Sequence, residues 1–125
     1  MQEYDDTFFY PPAPLAKVTL RNRDNGIRVS DVPRQINSGA DATLIPQVYI
    51  TRLGLAFSTD ENYELMGFDG HKSVARVVHL DLLFLNKTFK GKFLVINQDI
   101  GILGRNILNR ISLLLDGPNS RWDGR

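Results

Sequence analysis

The chain has no cysteine among its 125 residues, which excludes disulfide bridges and thiolate metal sites. That absence fits a reducing compartment, and a cytoplasmic location is the expectation. No apolar run approaches the ~20 residues that a membrane span needs, so no membrane segment is expected in this chain. The opening residues, Met1-Gln2-Glu3-Tyr4-Asp5-Asp6, are acidic and lack the apolar stretch of a secretory leader. Charge of either sign is in no excess: 15 basic against 14 acidic residues leave +1. No Lys/Arg run exceeds two residues, so the linear sequence carries no electrostatic footprint for nucleic acid, and no such partner is expected. The two histidines, His71 and His79, have no third ligand at metal spacing and read as structural or exposed. No metal and no cofactor are expected.

What remains is an ordinary globular composition, 42% hydrophobic and 23% charged, at the length of one domain. Residues 1–14 read as an N-terminal tail, acidic at first, then Phe8-Phe9-Tyr10 and the proline-rich Pro11-Pro12-Ala13-Pro14. From Leu15 a period of two sets in, with Ala16, Val18 and Leu20 alternating against Lys17 and Thr19. Asp24-Asn25-Gly26 marks a turn, and Ile27 to Val32 reads as the returning strand. Gln47 to Leu53 fits either one helical turn or an extended piece, and Gly54 stops it. Asn62–Met66 and Ser73–Leu83 read as strands around the glycine-flanked tip Gly67-Phe68-Asp69-Gly70. Asn86-Lys87 predicts another turn before a strand over Thr88–Asn97, with Phe89, Gly91, Phe93 and Val95 on one face. Ile107, Leu108 and Ile111 recur at helical spacing, and Ile111–Asp116 reads as a last strand. Seven or eight short strands and one short C-terminal helix argue an all-β barrel or sandwich. The domain is expected over 15–118, with 119–125 as a C-terminal tail.

Asn37-Ser38-Gly39 alone is a turn triplet. Its context is unusual. Ala40-Asp41-Ala42-Thr43-Leu44-Ile45-Pro46 follows it, and some sixty residues on comes Ile102-Leu103-Gly104-Arg105-Asn106-Ile107-Leu108. In order and spacing this pair of motifs, over about residues 15–116, resembles the retropepsins, the single-domain aspartic peptidases. The bacterial branch is the most similar, given Gly67-Phe68-Asp69-Gly70 and Leu113-Leu114-Leu115-Asp116-Gly117-Pro118.

The resemblance implies a retropepsin-like barrel that works as a homodimer on peptide or protein substrates, with one triplet from each chain meeting on a two-fold axis. Two carboxylates held that close share one proton, and the pair activates water. Position 37 is where the catalytic carboxylate belongs. Ser38 matches the hydroxyl residue that ties the two loops together, and Gly39 lets substrate backbone approach. Ala40 and Asp41 match substrate-binding positions, and Asp41 would pair bidentately with Arg105. Phe68, Asp69 and Gly70 would form the tip of a closing flap.

The departure is Asn37, whose amide has no titratable proton. The chain is therefore expected to hold peptides without cutting them. Because Asp41, Arg105 and the rest of the motif are intact, a deliberate Asp-to-Asn change is favoured over a natural pseudoprotease serving as a dimeric peptide-binding module. A structural dimerisation domain is a third reading. Tyr10-Pro11 fits the aromatic–proline junctions at which such enzymes often release themselves from precursors, although a plain tail explains it too.

Overall fold

The computed structural model describes residues 1–56, 62–66 and 69–125. In chain order the elements are β1 (Gln2–Glu3), β2 (Leu15–Arg21), β3 (Arg28–Ile36), β4 (Leu44–Pro46) and α1 (Gln47–Arg52). There follow β5 (Asn62–Met66), β6 (Lys72–Phe84), β7 (Lys87–Ile96), β8 (Gly101–Leu103), α2 (Arg105–Leu108), β9 (Leu113–Asp116) and β10 (Arg121–Gly124).

The alternation in β2 decides its faces: Ala16, Val18 and Leu20 are fully buried, while Lys17 is exposed. The strands order as β2-β3-β8-β4-β7-β6-β5, and β2 also pairs with β6. Six strands thus close into a barrel and β5 hangs from β6 as a hairpin. Closure removes the exposed edges that an open sheet would present. The longest ladder, β6 with β7, runs without a register shift from Arg76↔Val95 to Phe84↔Lys87. Two pairings are parallel, β3 with β8 and β4 with β7. The core fills the barrel with Val18, Leu20, Val32, Ile45, Val78, Leu80, Leu82, Phe89, Phe93 and Leu103.

The structure differs from expectation in three places. Gln47–Leu53 resolves to helix, so α2 is joined by a second short helix, α1, which buries Ile50 and stops at Gly54 with φ +67. The expected tails are paired to each other: Gln2↔Trp122 and Glu3↔Arg121 join β1 to β10, which in turn pairs with β9. The cause is Trp122, 3% exposed, whose ring lies 6.0 Å from that of Phe84. Burying so large a side chain fixes the segment that carries it. Between β1 and β2, Asp5 and Ala13 exchange backbone hydrogen bonds of 2.8 and 3.0 Å, closing a loop on which Tyr10 stands 95% exposed.

Two buried charges are handled in opposite ways. Asp81, fully buried, accepts four N–H bonds, from Arg21 (Nε 3.1 Å, Nη2 2.8 Å) and Arg23 (Nε 3.2 Å, Nη2 2.8 Å). Burial pushes its carboxyl up, but the arginine bonds outweigh that and hold it below the usual range. Arg34, also fully buried, donates from Nη1 to the Pro33 carbonyl at 2.9 Å and lies over the Tyr49 ring, but its Nε and Nη2 have no partner. Burial pushes its guanidinium down to about 10, with Tyr49 opposing the drop.

These two sites give predictions of opposite sign. Asp81→Asn is expected to destabilise the fold by about 1–3 kcal/mol, because the arginines it frees are partly exposed and can turn to water. A carboxyl with a depressed native pKa contributes stability above its unfolded pKa and loses it as pH falls through the native value. The wild-type urea midpoint should therefore drop below about pH 4, and more steeply than that of Asp81→Asn. Arg34→Met removes a cation that burial penalises at every pH below about 10, and should raise stability by about 1 kcal/mol or more. A lower melting temperature for that variant would contradict the account.

Candidate active site

β3 ends at Ile36, and the chain turns through residues 37–43 before β4 begins at Leu44. Asn37 fixes the turn. Its backbone N–H donates to the Leu103 carbonyl at 3.1 Å, extending the β3–β8 pairing by one residue. Its side-chain Oδ1 accepts the Gly39 N–H at 3.0 Å, and its carbonyl accepts the Ala40 N–H at 3.2 Å. A side-chain oxygen on a short stem is what this turn requires, and Asn or Asp supplies it equally. A side chain at position 39 would bring its Cβ to 3.2 Å from that oxygen, a tight contact. Asn37 is half-buried, whereas Ser38, Gly39 and Asp41 face water.

Arg105 braces the turn from the second motif. Its backbone N–H donates to the Ala40 carbonyl at 2.8 Å and its Nη1 to the Ser38 carbonyl at 2.7 Å, while Nη2 pairs with the Asp41 carboxylate. The expected Asp41–Arg105 pair is present, but not as a bidentate fork: the guanidinium divides itself between a carboxylate and a backbone carbonyl. One residue thus ties Ser38, Ala40 and Asp41 together.

The structure brings together Asn37, Ser38, Gly39, Ala40, Asp41 and Arg105. Asp69 and Gly70 lie apart from them, at the tip of the β5–β6 hairpin, where the Asp69 carboxylate accepts the His71 N–H at 2.9 Å. Phe68, with Gly67, lies outside the described residues. At the hairpin's base, Ala75, Val77 and Leu94 pack with Leu65, and with Ala42 and Leu44 just beyond Asp41, in a second apolar cluster.

Sequence reasoning passed over two features. The first is Thr43. Fully buried, its hydroxyl donates to Asn106 Oδ1 at 2.7 Å and accepts the Gly104 N–H at 3.1 Å, so one group joins both motifs. The signal was available: a threonine flanked by apolar residues must find partners for its hydroxyl. The second is a cavity of about 230 Å³ lined by Phe8, Phe9, Gln35, Gln98, Ile100 and Ile102. Gln35 and Ile102 are register partners. Gln35 is two residues before Asn37, which puts it on the same face of the chain. Among the described residues no group of His, Asp and Glu forms a metal centre, and no helix is long and apolar enough to cross a membrane.

A closed six-stranded barrel, a glycine turn braced from a distant motif and a hairpin beside it make up the retropepsin fold. Solved structures with this fold agree. EIAV protease complexed with the inhibitor HBY-793 matches with a TM-score of 0.58 at 20% identity, over 78% of this chain and 86% of that one. A retropepsin-like aspartic protease from Rickettsia conorii matches with a TM-score of 0.51 at 21% identity, over 83% and 87%. No family model matches the chain, and no curated protein matches its sequence.

Thr43→Val keeps the shape of residue 43 but removes the hydroxyl, leaving the buried Gly104 N–H without its acceptor. The expected loss is about 1–3 kcal/mol, read as a lower urea midpoint with an unchanged slope. Unchanged stability would mean that the hydroxyl is not what joins the motifs.

Proposed function

We propose that this chain is one half of a homodimeric aspartic endopeptidase, in a form that binds extended peptides and does not hydrolyse them. The observation that carries the reading is the position of Asn37. It stands at the head of a braced, water-facing turn in a retropepsin fold, where two subunits would each present one carboxylate. Hydrolysis by such a pair needs a proton that moves between the two groups and the attacking water. An amide at 37 contributes none, so two copies of this turn form no acid–base pair. General acid–base catalysis alone is worth about 10²–10⁴ in rate, and here both partners are missing.

Peptide binding rests on groups that the substitution leaves in place. Asp41 and the Gly39 backbone are exposed beside residue 37, and Asp69 and Gly70 occupy a hairpin tip suited to closing over a peptide. The cavity beside Gln35 and Ile102 has room for one apolar side chain, with Phe8, Phe9 and Ile100 as its apolar walls. Homodimerisation is supported by the exposure of Ser38 and Gly39 and by β9, an edge strand of the β1-β10-β9 sheet with Leu115 52% exposed. An open ladder edge with apolar side chains is a template for a second copy.

Asn37→Asp tests the proposal. The revertant should remain folded, sediment as a dimer, and cleave apolar peptides at mildly acidic pH, at a rate at least about 10²-fold above the Asn37 chain. The Asn37 chain should bind the same peptides without turnover. A folded, dimeric revertant with no peptidase activity would sink the enzyme reading. If that revertant still bound peptide, a natural peptide-binding module would be the better description.

A further inference from the structure

We infer that a second binding site, for a phosphate-type oxyanion, lies on the outer face of the β2–β6–β7 sheet. It shares no residue with the turn at 37–41. Basic residues scattered along the sequence are collected there by strand register. Directly paired residues of an antiparallel ladder project to the same face. The unbroken β6–β7 ladder opposes His79 to Lys92 and Asp81 to Lys90, and β2 opposes Arg21 to Asp81. Arg23, just beyond β2, reaches the same carboxylate. Three cations, Arg21, Arg23 and Lys90, therefore gather about one buried acid on a chain whose whole net charge is only +1.

The charge is not merely spread over a surface. A cavity of about 270 Å³ opens between the Asn22–Asp24 loop and the ladder, with Arg23, His79 and Lys90 in its walls. Arg23 commits Nε and Nη2 to Asp81, and Arg21 makes the same pair of bonds, so two guanidinium groups share a single negative charge. One unit of positive charge is left over beside the cavity, and Lys90 adds a second. Among the described residues Asp24 is the one acid in the lining, and it cancels only part of this. A small, multiply charged oxyanion fits both the volume and the surplus, because charge-assisted N–H bonds to phosphate oxygens are short and strong. Arg23 is held in place by Asp81, so its orientation is set before a ligand arrives. The ligand is a phosphate monoester, either a free small molecule or a phosphorylated side chain on a protein.

Amide spectra of the full chain, titrated with inorganic phosphate at low salt and constant ionic strength, test the site. The expected result is a saturable shift confined to residues 22–24, 79–80 and 90–91. Lys90→Glu, on an exposed strand position, should weaken binding at least about tenfold, a step that corresponds to about 1.4 kcal/mol. Lys72→Glu, on the β5–β6 hairpin, should leave binding unchanged. Tenfold tighter binding of a phosphoserine tripeptide than of phosphate would assign the ligand to a phosphorylated protein, and equal binding would assign it to a free ester. Shifts that do not saturate, that spread equally to Lys17, Lys72 and Lys87, or that survive Lys90→Glu would overturn the inference. Peptide binding at residue 37 is not involved in this readout, so the two proposals fail separately.

Discussion

The structure depends on one close approach, that of Gly104 to the turn after β3. A Cβ at 104 would lie 2.2 Å from the Ala42 carbonyl oxygen and 3.0 Å from that of Ala40. No side chain fits there. Only with glycine can the chain entering α2 lie directly against residues 40–42, so that the Gly104 N–H reaches Thr43 and the Arg105 N–H reaches Ala40. Two segments some sixty residues apart become one rigid unit. The turn that carries residue 37 is therefore part of the barrel wall and not an ordinary mobile loop. A similar crowding acts three residues earlier, where a Cβ at Gly101 would lie 2.2 Å from the Leu44 carbonyl and 2.8 Å from Arg34 Nη1. Glycines at 101 and 104 let β8 pass between β3 and β4.

This explains what could be read in the sequence. The turn at 37–41 was legible as a turn because its geometry is local in type, a short polar side chain that accepts its own i+2 amide, while its reading as a site rested on the resemblance of the paired motifs. The Asn25-Gly26 hairpin was legible for the same reason, with Gly26 at φ +74. The turn between β6 and β7 was placed one residue late. It is centred on Leu85 and Asn86, with φ of 51 and 60, and a leucine in the left-handed region gives no compositional sign of itself. α1 was ambiguous because Pro46 precedes it without any side-chain cap. The terminal strands were missed because β1 has two residues and β10 four, and their pairing depends on a tryptophan burying against Phe84 from the far end of the chain.

Arg34 and Asp81 show how far alternation carries. Arg34 is in phase with Val32 and Ile36, both buried, so the period of two, carried past the expected strand end at Val32, puts a cation inside the barrel. Asp81 is out of phase with Leu80 and Leu82, which predicts exposure. It is buried because arginines from β2 and the following loop cover it. The first case follows from one strand's pattern. The second needs the pairing of β2 with β6, and no single strand contains that information.

Fold and chemistry separate at position 37. Every bond that residue 37 makes in the turn uses a backbone group or an oxygen that Asn and Asp both carry. The Arg105 brace acts on Ser38, Ala40 and Asp41 and not on the side chain of residue 37. An Asp or an Asn at 37 would therefore make the same bonds in this turn. What would distinguish them is protonation: a carboxyl titrates and an amide does not. The shape of this turn is thus independent of whether residue 37 can titrate, because none of the bonds that residue makes within it requires a proton to be gained or lost there.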